Sequence, residues 1–196
     1  MSYAEDITEE FLSTYLYDKE VLERRTPRPY QTVDTIHMNG IILGEPGSGK
    51  TSVARWLAGM LGLKYGKENV NAVWSQHNLE VLFDSLEDTL INFLFLDDAT
   101  MIKLSNDEIE KYFNLRHVLN DEIGRRNGLI MTIIGLHRFY SVPISLRTQF
   151  NFMIFRSSPT NPYDYNFTAR YIGMGGLKTV SYTHLRAHET SLHLVC

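Results

Sequence analysis

The sequence contains a single cysteine, Cys196, and few prolines. One cysteine cannot form an intramolecular disulfide, so a small fold held together by disulfides is excluded. The longest apolar runs, such as residues 91–96, are too short to cross a bilayer, and the chain does not begin with the pattern of a signal peptide. We therefore expect a cytoplasmic chain with no membrane partner.

The sequence also lacks an excess of basic residues. Its 19 Lys and Arg residues are outnumbered by 23 Asp and Glu residues, which gives a net charge of -4. This balance argues against a protein that coats nucleic acid with a broadly basic surface. Hydrophobic residues make up 43% of the chain and charged residues 21%, which is typical of a soluble globular domain with one core.

The final segment, residues 180–196, lacks the strand and helix patterning that precedes it. Its sequence VSYTHLRAHET resembles one reading frame of a transposase-type sequencing adapter, so we expect a non-native tail and a natural chain that continued past Thr179. The four histidines outside this tail are too evenly spread to predict a zinc site. We predict an N-terminal helix and a basic, proline-containing linker at 1–29, and a truncated core at 30–179.

The core begins with short apolar segments that alternate with helical patterns from Thr35 onwards. This alternation is typical of a mainly parallel sheet covered by helices on both faces, with strands buried on both sides. The predicted strands are 36–43, 70–74, 91–96, 129–134 and 150–155. Helices are predicted at 5–25, at 79–86, from Ser105, where Glu108 completes a capping box, and after Gly49, with Trp56 among its inward residues.

The segment Gly44-Glu45-Pro46-Gly47-Ser48-Gly49-Lys50-Thr51 matches GxxxxGK[ST] and lies between a predicted strand and a predicted helix. The glycines allow the backbone to wrap around phosphates, and the helix N-terminus directs N–H groups at them. Lys50 would supply a positive charge, Thr51 would ligate Mg²⁺, and Ser52 completes the predicted nucleotide-binding set. The pattern therefore predicts a P-loop that binds ATP and Mg²⁺.

A second motif, Asp97-Asp98, follows the strand predicted at 91–96. Carboxylates at the C-terminal edge of a parallel sheet lie where α/β proteins bind ligands. We predict that Asp97 holds Mg²⁺, with a plain loop carboxylate as the alternative. We predict that Asp98 orients the attacking water in ATP hydrolysis, with a non-catalytic role as the alternative. The alternating strands and helices together with the P-loop predict an α/β, P-loop NTPase three-layer sandwich of about five strands. The spacing between the motifs predicts an added strand between the two motif strands.

A third group of residues follows the strand predicted at 129–134 and includes His137 and Arg147. Together with the P-loop and Asp97-Asp98, this order resembles the FtsK/HerA-like clade of P-loop ATPases, which includes viral genome-packaging ATPases. The resemblance covers residues 36–155. It implies an ATP-hydrolysing motor subunit that forms a homo-oligomeric ring and translocates double-stranded DNA, in the host cytoplasm if the protein is viral.

The same resemblance suggests two further site residues. His137 takes the position of a polar sensor of the γ-phosphate, although a histidine that only caps a backbone carbonyl is the alternative. Arg147, or else Arg126 or Arg138, takes the position of an arginine finger for a neighbouring subunit, with a structural salt bridge as the alternative.

Other functions stay open at this stage. An AAA+ helicase-loader-like ATPase also carries Asp-Asp after its second motif strand, and its partner would be a helicase. In a nonhydrolysing nucleotide switch, Asp98 and His137 would be signs of lost catalysis. A small-molecule kinase is disfavoured because no arginine-rich lid can be placed in the sequence.

Overall fold

A computed structural model describes residues 19–24, 35–76, 78–98, 105–125, 127–139, 142, 144–147, 149–156, 180–181 and 193–195. The helices are α1 (Lys19–Arg24), α2 (Lys50–Tyr65), α3 (Leu79–Phe83), α4 (Asn106–Val118) and α5 (Ile144–Arg147), with a 3-10 turn at Lys67–Asn69 and a π-helical turn at Leu119–Ile123. The strands are β1 (Ile36–Leu43), β2 (Val70–Gln76), β3 (Ile91–Asp97), β4 (Leu129–Leu136), β5 (Phe152–Phe155), β6 (Val180–Ser181) and β7 (His193–Val195).

The strands form one sheet in the order β2-β3-β4-β1-β5-β7-β6. The first five are parallel to their neighbours, and β7 and β6 are antiparallel. This confirms the mainly parallel sheet of about five strands. The added strand β2 lies between the motif strands in sequence but at the edge of the sheet, and β4 separates them in space.

Each face of the sheet carries its own hydrophobic core, because successive strand side chains point to opposite faces. On one face, Met38 and Ile42 of β1 pack with Val53, Leu57 and Leu61 of α2, which recur every four residues and form one stripe. On the other face, helices α3 and α4 cover the sheet, and their buried side chains are Leu79, Leu82, Phe83, Tyr112 and Leu115. Helices on both faces complete the predicted α/β sandwich.

Local sequence signals account for several helix ends. Ser105 and Glu108 form the predicted capping box of α4, with Glu108 N–H donating to Ser105 Oγ at 3.2 Å. Asn78 caps α3 by accepting from Glu80 N–H at 2.9 Å. Helix α2 ends at Gly66, whose φ of 91° is readily adopted only by glycine.

Two expectations about burial need correction. Strand β2 was expected to be buried on both faces, but its side chains alternate between half-buried and exposed over most of its length because it lies at an edge. Trp56 was expected to face inward from α2, but it is 38% exposed. Its neighbour Leu57 fills the core at that level instead, so the apolar stripe is narrower than the sequence pattern suggested.

The two ends of the chain were expected to differ from the core. Of the helix predicted at 5–25, the structure describes only Lys19–Arg24, which is helical, and the linker lies outside the described residues. The segment after Thr179 was expected to lack regular elements, yet β6 and β7 extend the sheet beyond β5. Its resemblance to a sequencing adapter and the domain boundaries stay predictions. Among the described helices, none is long and apolar enough to span a membrane.

Candidate nucleotide-binding site

Four parallel strands bring the predicted site together at the C-terminal edge of the sheet. Strand β1 leads into Gly44, β3 ends in Asp97, β4 leads into His137, and β5 leads into Arg156. The ends of β1 and β4 lie side by side, because Gly44 N–H donates to Leu136 O at 3.1 Å. Because β4 lies between β1 and β3, His137 is inserted between the P-loop and the Asp97-Asp98 pair.

The P-loop itself has the backbone that its glycines predict. Gly47 and Gly49 have φ values of 76° and 85°, in the left-handed region that side chains rarely adopt. A Cβ at Gly44 would collide with the side chain of Ser48. Ser48 Oγ is buried with no hydrogen-bond partner among the described residues, which is unusual for a polar atom unless a ligand meets it.

The predicted nucleotide-binding residues differ in their exposure to solvent. Gly44 and Lys50 are buried, Ser48, Gly49 and Thr51 are half-buried, and the remaining residues, Glu45, Pro46, Gly47 and Ser52, are exposed. The loop therefore presents its tip to solvent while its two ends are fixed in the core. Helix α2 begins at Lys50, so its free N–H groups face this loop.

The ammonium group of Lys50 is held by three acceptors. Nζ donates to Gly44 O at 2.9 Å and to Glu45 O at 3.1 Å, and it lies 3.1 Å from His137 Nδ1. Burial lowers the pKa of Lys50, and the carboxylates of Asp97 and Asp98 act in the opposite direction. A buried cation in this position is suited to an anionic ligand that restores the charge balance.

Thr51 and Asp97 are brought together, as the metal prediction requires. Thr51 Oγ1 donates to Asp97 Oδ2 at 2.7 Å, which leaves lone pairs of the hydroxyl oxygen available to a cation. A Cβ at Gly135 would lie 3.2 Å from Asp97 Oδ1, so the glycine leaves room for this carboxylate. A hydroxyl and a carboxylate are the few protein ligands that Mg²⁺ uses when phosphates complete its shell.

Asp98 has an unusual backbone. Its φ of 51° is the only positive value among the described non-glycine residues, and its N–H donates to Asp97 Oδ1 at 3.0 Å. Aspartate and asparagine tolerate this left-handed conformation better than longer residues do. The turn therefore gives a backbone reason for an aspartate at this position.

His137 connects the lysine to the second carboxylate. Its Nε2 lies 2.8 Å from Asp98 Oδ1, while Nδ1 faces Lys50 Nζ and lies 3.1 Å from Gly44 O. Lysine can only donate, so a bond from Lys50 requires Nδ1 to accept, and the 2.8 Å approach of Nε2 to Asp98 Oδ1 does not have hydrogen-bond geometry. The imidazole thus links the two motifs that the sequence treated separately.

Of the candidate finger residues, the structure describes Arg138 and Arg147. Arg147 Nε donates to Val142 O at 2.7 Å, and its guanidinium carbon lies 5.9 Å from the centre of the Phe139 ring. Arg138 is exposed, and Arg126 lies outside the described residues. The role of Arg147 in a neighbouring subunit stays a prediction.

Sequence reasoning missed Arg156, which follows β5 directly. Its Nε donates to Ser48 O in the P-loop at 2.9 Å, and its N–H donates to Leu43 O at 2.8 Å. No motif marks this arginine. The available signal was its position, since a residue that follows a strand next to β1 must lie beside the P-loop.

These residues fit a nucleotide and a magnesium ion better than a site made by protein ligands alone. The glycine cradle, the buried lysine and the orphaned Ser48 hydroxyl are features of an anion site. Among the described residues, no group of three or more His, Cys, Asp or Glu side chains is placed to hold a metal ion. A cation here would need ligands from the bound phosphates, as Mg²⁺ commonly does.

Comparison with known proteins gives a family match. The sequence profile described as "ATPase family associated with various cellular activities (AAA)" matches residues 41–157, which is more than half of the chain. The match begins in β1 and includes the P-loop, the Asp97-Asp98 pair, His137 and Arg156. No curated protein sequence matches the chain significantly.

Comparison with solved structures finds matches at low sequence identity, one of which reaches a TM-score of 0.50. The genome packaging NTPase B204 from Sulfolobus turreted icosahedral virus 2, in complex with ATP-gammaS, has 14% identity and a TM-score of 0.50, with 69% of this chain and 82% of that chain covered. The FIGL-1 AAA domain in complex with ADP has 16% identity and a TM-score of 0.47, covering 89% and 59%. A RuvB variant from Thermotoga maritima has 17% identity and a TM-score of 0.45, covering 76% and 44%.

Proposed function

The chain belongs to the AAA family of ATPases, and on that premise we propose that it binds Mg-ATP in the P-loop and hydrolyses it. The observation that carries the proposal is the 2.7 Å bond between Thr51 Oγ1 and Asp97 Oδ2. It joins two motifs that are 46 residues apart and leaves a hydroxyl and a carboxylate side by side for a cation. The buried Lys50 lies beside them with its charge desolvated.

The binding residues have separate tasks. The N–H groups of the P-loop and of the first turn of α2 accommodate the phosphates, and Ser48 Oγ is a further buried donor. Lys50 leaves at least one of its three protein acceptors and turns its ammonium group to the phosphate oxygens. Thr51 and Asp97 hold the cation, which polarises the terminal phosphate when Mg-ATP is bound.

Two residues serve hydrolysis. Asp98 orients the attacking water with its carboxylate, and the left-handed turn at this residue fixes where that carboxylate lies. His137 Nε2 lies 2.8 Å from Asp98 Oδ1 and so limits where the carboxylate can move, while its Nδ1 remains in contact with Lys50. The imidazole therefore couples the position of the lysine to that of the water-orienting group.

The direct test is Mg-dependent release of phosphate from ATP. Wild-type protein should hydrolyse ATP with Mg²⁺ and not with excess EDTA, and Asp97→Asn should lose most of that activity. Asp98→Asn should retain ATP binding, measured by calorimetry, and lose turnover. ATP binding without turnover in the wild type would contradict hydrolysis and indicate a nucleotide switch.

We further propose that the chain is a subunit of a ring that translocates double-stranded DNA, as in genome packaging. The support is the order of motifs that resembles FtsK/HerA-like ATPases, with His137 as sensor and Arg147 as finger. In a ring, Arg147→Ala mixed with Lys50→Ala should restore part of the activity that each variant lacks, because each supplies the residue missing at one shared site. The assembled state is measured by light scattering.

A matched test addresses the substrate. Double-stranded DNA should raise the ATPase rate of wild-type protein and leave the residual rate of Asp98→Asn unchanged. A monomer whose ATPase rate ignores DNA would contradict the motor. Copurification with a replicative helicase would instead favour the helicase-loader function.

A further inference from the structure

Arg156 lies against the flank of the P-loop. Its Nε donates to Ser48 O at 2.9 Å, and a Cβ at Gly49 would lie 3.2 Å from its Nη2. The backbone of Arg156 is itself fixed, because its N–H donates to Leu43 O at 2.8 Å at the end of β1. The side chain is therefore anchored at its base, binds Ser48 O and lies on the side of Gly49 where a Cβ would be.

The contact with Ser48 O has a geometric consequence for the next residue. Ser48 C=O and Gly49 N–H belong to the same peptide unit, and in a planar trans peptide these two groups point in opposite directions. Holding the carbonyl towards Arg156 therefore turns the N–H of Gly49 to the other side of the loop. No acceptor among the described residues binds this N–H.

We propose that Arg156 is a positioning residue, which orients the 48–49 peptide so that Gly49 N–H binds the β-phosphate of the nucleotide. This inference rests on the proposed nucleotide site. Gly49 has a φ of 85°, which glycine adopts readily but which no side chain of its own enforces. A contact from another residue is therefore needed to fix this backbone conformation. The charge of the guanidinium also strengthens the dipole of the peptide that it contacts.

The chain offers a matched control in Arg125. Its Nε also donates to a backbone carbonyl, Asn127 O, at 3.2 Å, and its Nη1 pairs with Asp88 at 2.8 Å. Arg125 lies near the start of β4, at the opposite edge of the sheet from the P-loop. Replacing it removes an arginine-to-carbonyl bond of the same kind without touching the nucleotide site.

The experiment measures ADP binding by calorimetry in wild type, Arg156→Gln, Arg156→Lys and Arg125→Gln. Loss of one charge-assisted bond to the phosphate should weaken ADP binding about 10- to 100-fold in both Arg156 variants. Arg125→Gln should bind as wild type does. Because lysine keeps the charge but not the planar fork of donors, Arg156→Lys separates positioning from charge.

A second readout follows the peptide directly. The ¹⁵N–¹H resonance of Gly49 should shift when ADP binds to wild type and to Arg125→Gln, and should remain near its free position in the Arg156 variants. Thermal unfolding checks that each variant folds. If Arg156→Gln does not fold, the test is made with Arg156→Lys alone. Wild-type affinity or a wild-type Gly49 shift in Arg156→Lys would overturn the positioning role.

The results also distinguish a failure of the proposed role of Arg156 from a failure of the proposed nucleotide site. If wild-type protein binds no ADP, the proposed nucleotide site fails and the role of Arg156 fails with it. If wild type binds ADP and both Arg156 variants bind it equally well, only the role of Arg156 is overturned.

Discussion

At the N-terminal edge of the sheet, Arg125 holds the turn before β4 through Asn127 O, and its charge is matched by Asp88 at 2.8 Å. At the C-terminal edge, Arg156 holds the P-loop through Ser48 O, but the nearby groups include the desolvated Lys50 and an orphaned serine hydroxyl. At both edges an arginine Nε donates to a backbone carbonyl. The N-terminal edge fixes a turn with a partly exposed ion pair, whereas the C-terminal edge gathers a buried lysine and a serine hydroxyl that suit an anion.

Removing the buried cation at the C-terminal edge should have the largest effect on function. Lys50→Ala should lower the ATPase rate about 1000-fold, because a preorganised positive charge stabilises the transferring phosphate. Phosphate release from ATP measures the effect, and Arg125→Ala is the control at the opposite edge. Comparable losses in the two variants would show that the edges do not differ in function.

The free energy of unfolding should depend on pH through His37, which lies in the half of β1 away from the P-loop. Burial, with a smaller effect of Arg116, lowers the pKa of His37 to about 4 from 6.5. Since the unfolded chain binds the proton first, the free energy of unfolding should fall as the pH decreases from about 6.5 to about 4. The loss is on the order of 3 kcal/mol.

Urea unfolding at several pH values measures this loss, and His37→Gln should flatten the curve over the same interval. His37 contacts Thr132 Oγ1 at 3.1 Å, and its ring lies 5.5 Å from that of Tyr112 at a tilt of 54°, so the substitution also changes the stability itself. The slope with pH is therefore the decisive quantity. An unchanged slope would assign the acid sensitivity to other groups.

At the C-terminal edge, His137 should affect turnover more than binding. His137→Ala should lower kcat about tenfold by removing the side chain that lies against the Asp98 carboxylate. Nucleotide affinity should not fall, because Lys50 loses an acceptor that competes with phosphate. Steady-state kinetics separate the two quantities, and a higher KM with unchanged kcat would contradict this role.

The smallest effect is expected at the ion pair of the N-terminal edge. Asp88 is 70% exposed, so Asp88→Asn should destabilise the fold by less than about 1 kcal/mol and leave the ATPase rate unchanged. Thermal unfolding and phosphate release measure the two quantities on one preparation. A loss of ATPase activity would link the two edges of the sheet.

The sequence predicted the elements whose signals are local. The five parallel strands, the capping box at Ser105 and the P-loop were found because hydrophobic runs, caps and glycine patterns act over a few residues. Thr51 and Asp97 were predicted because each belongs to a motif with defined chemistry. Their 2.7 Å contact follows from the parallel sheet, which places both motifs at one edge.

Other parts of the site depend on contacts between distant segments. The bond between His137 and Lys50 exists because β4 lies between β1 and β3, a neighbour relation that no local pattern contains. Arg156 carries no motif and is identified only when β5 is placed beside β1. The left-handed backbone of Asp98 is a property of the folded turn, so the preference for aspartate there could not be predicted.

The ammonium group of Lys50 has three protons, and Gly44 O, Glu45 O and His137 Nδ1 accept all three. If the proposed nucleotide site is correct, capture of a phosphate at this lysine is an exchange reaction, in which a phosphate oxygen displaces an internal acceptor. The same acceptors would compete with a bound nucleotide for the lysine protons and so would favour its release.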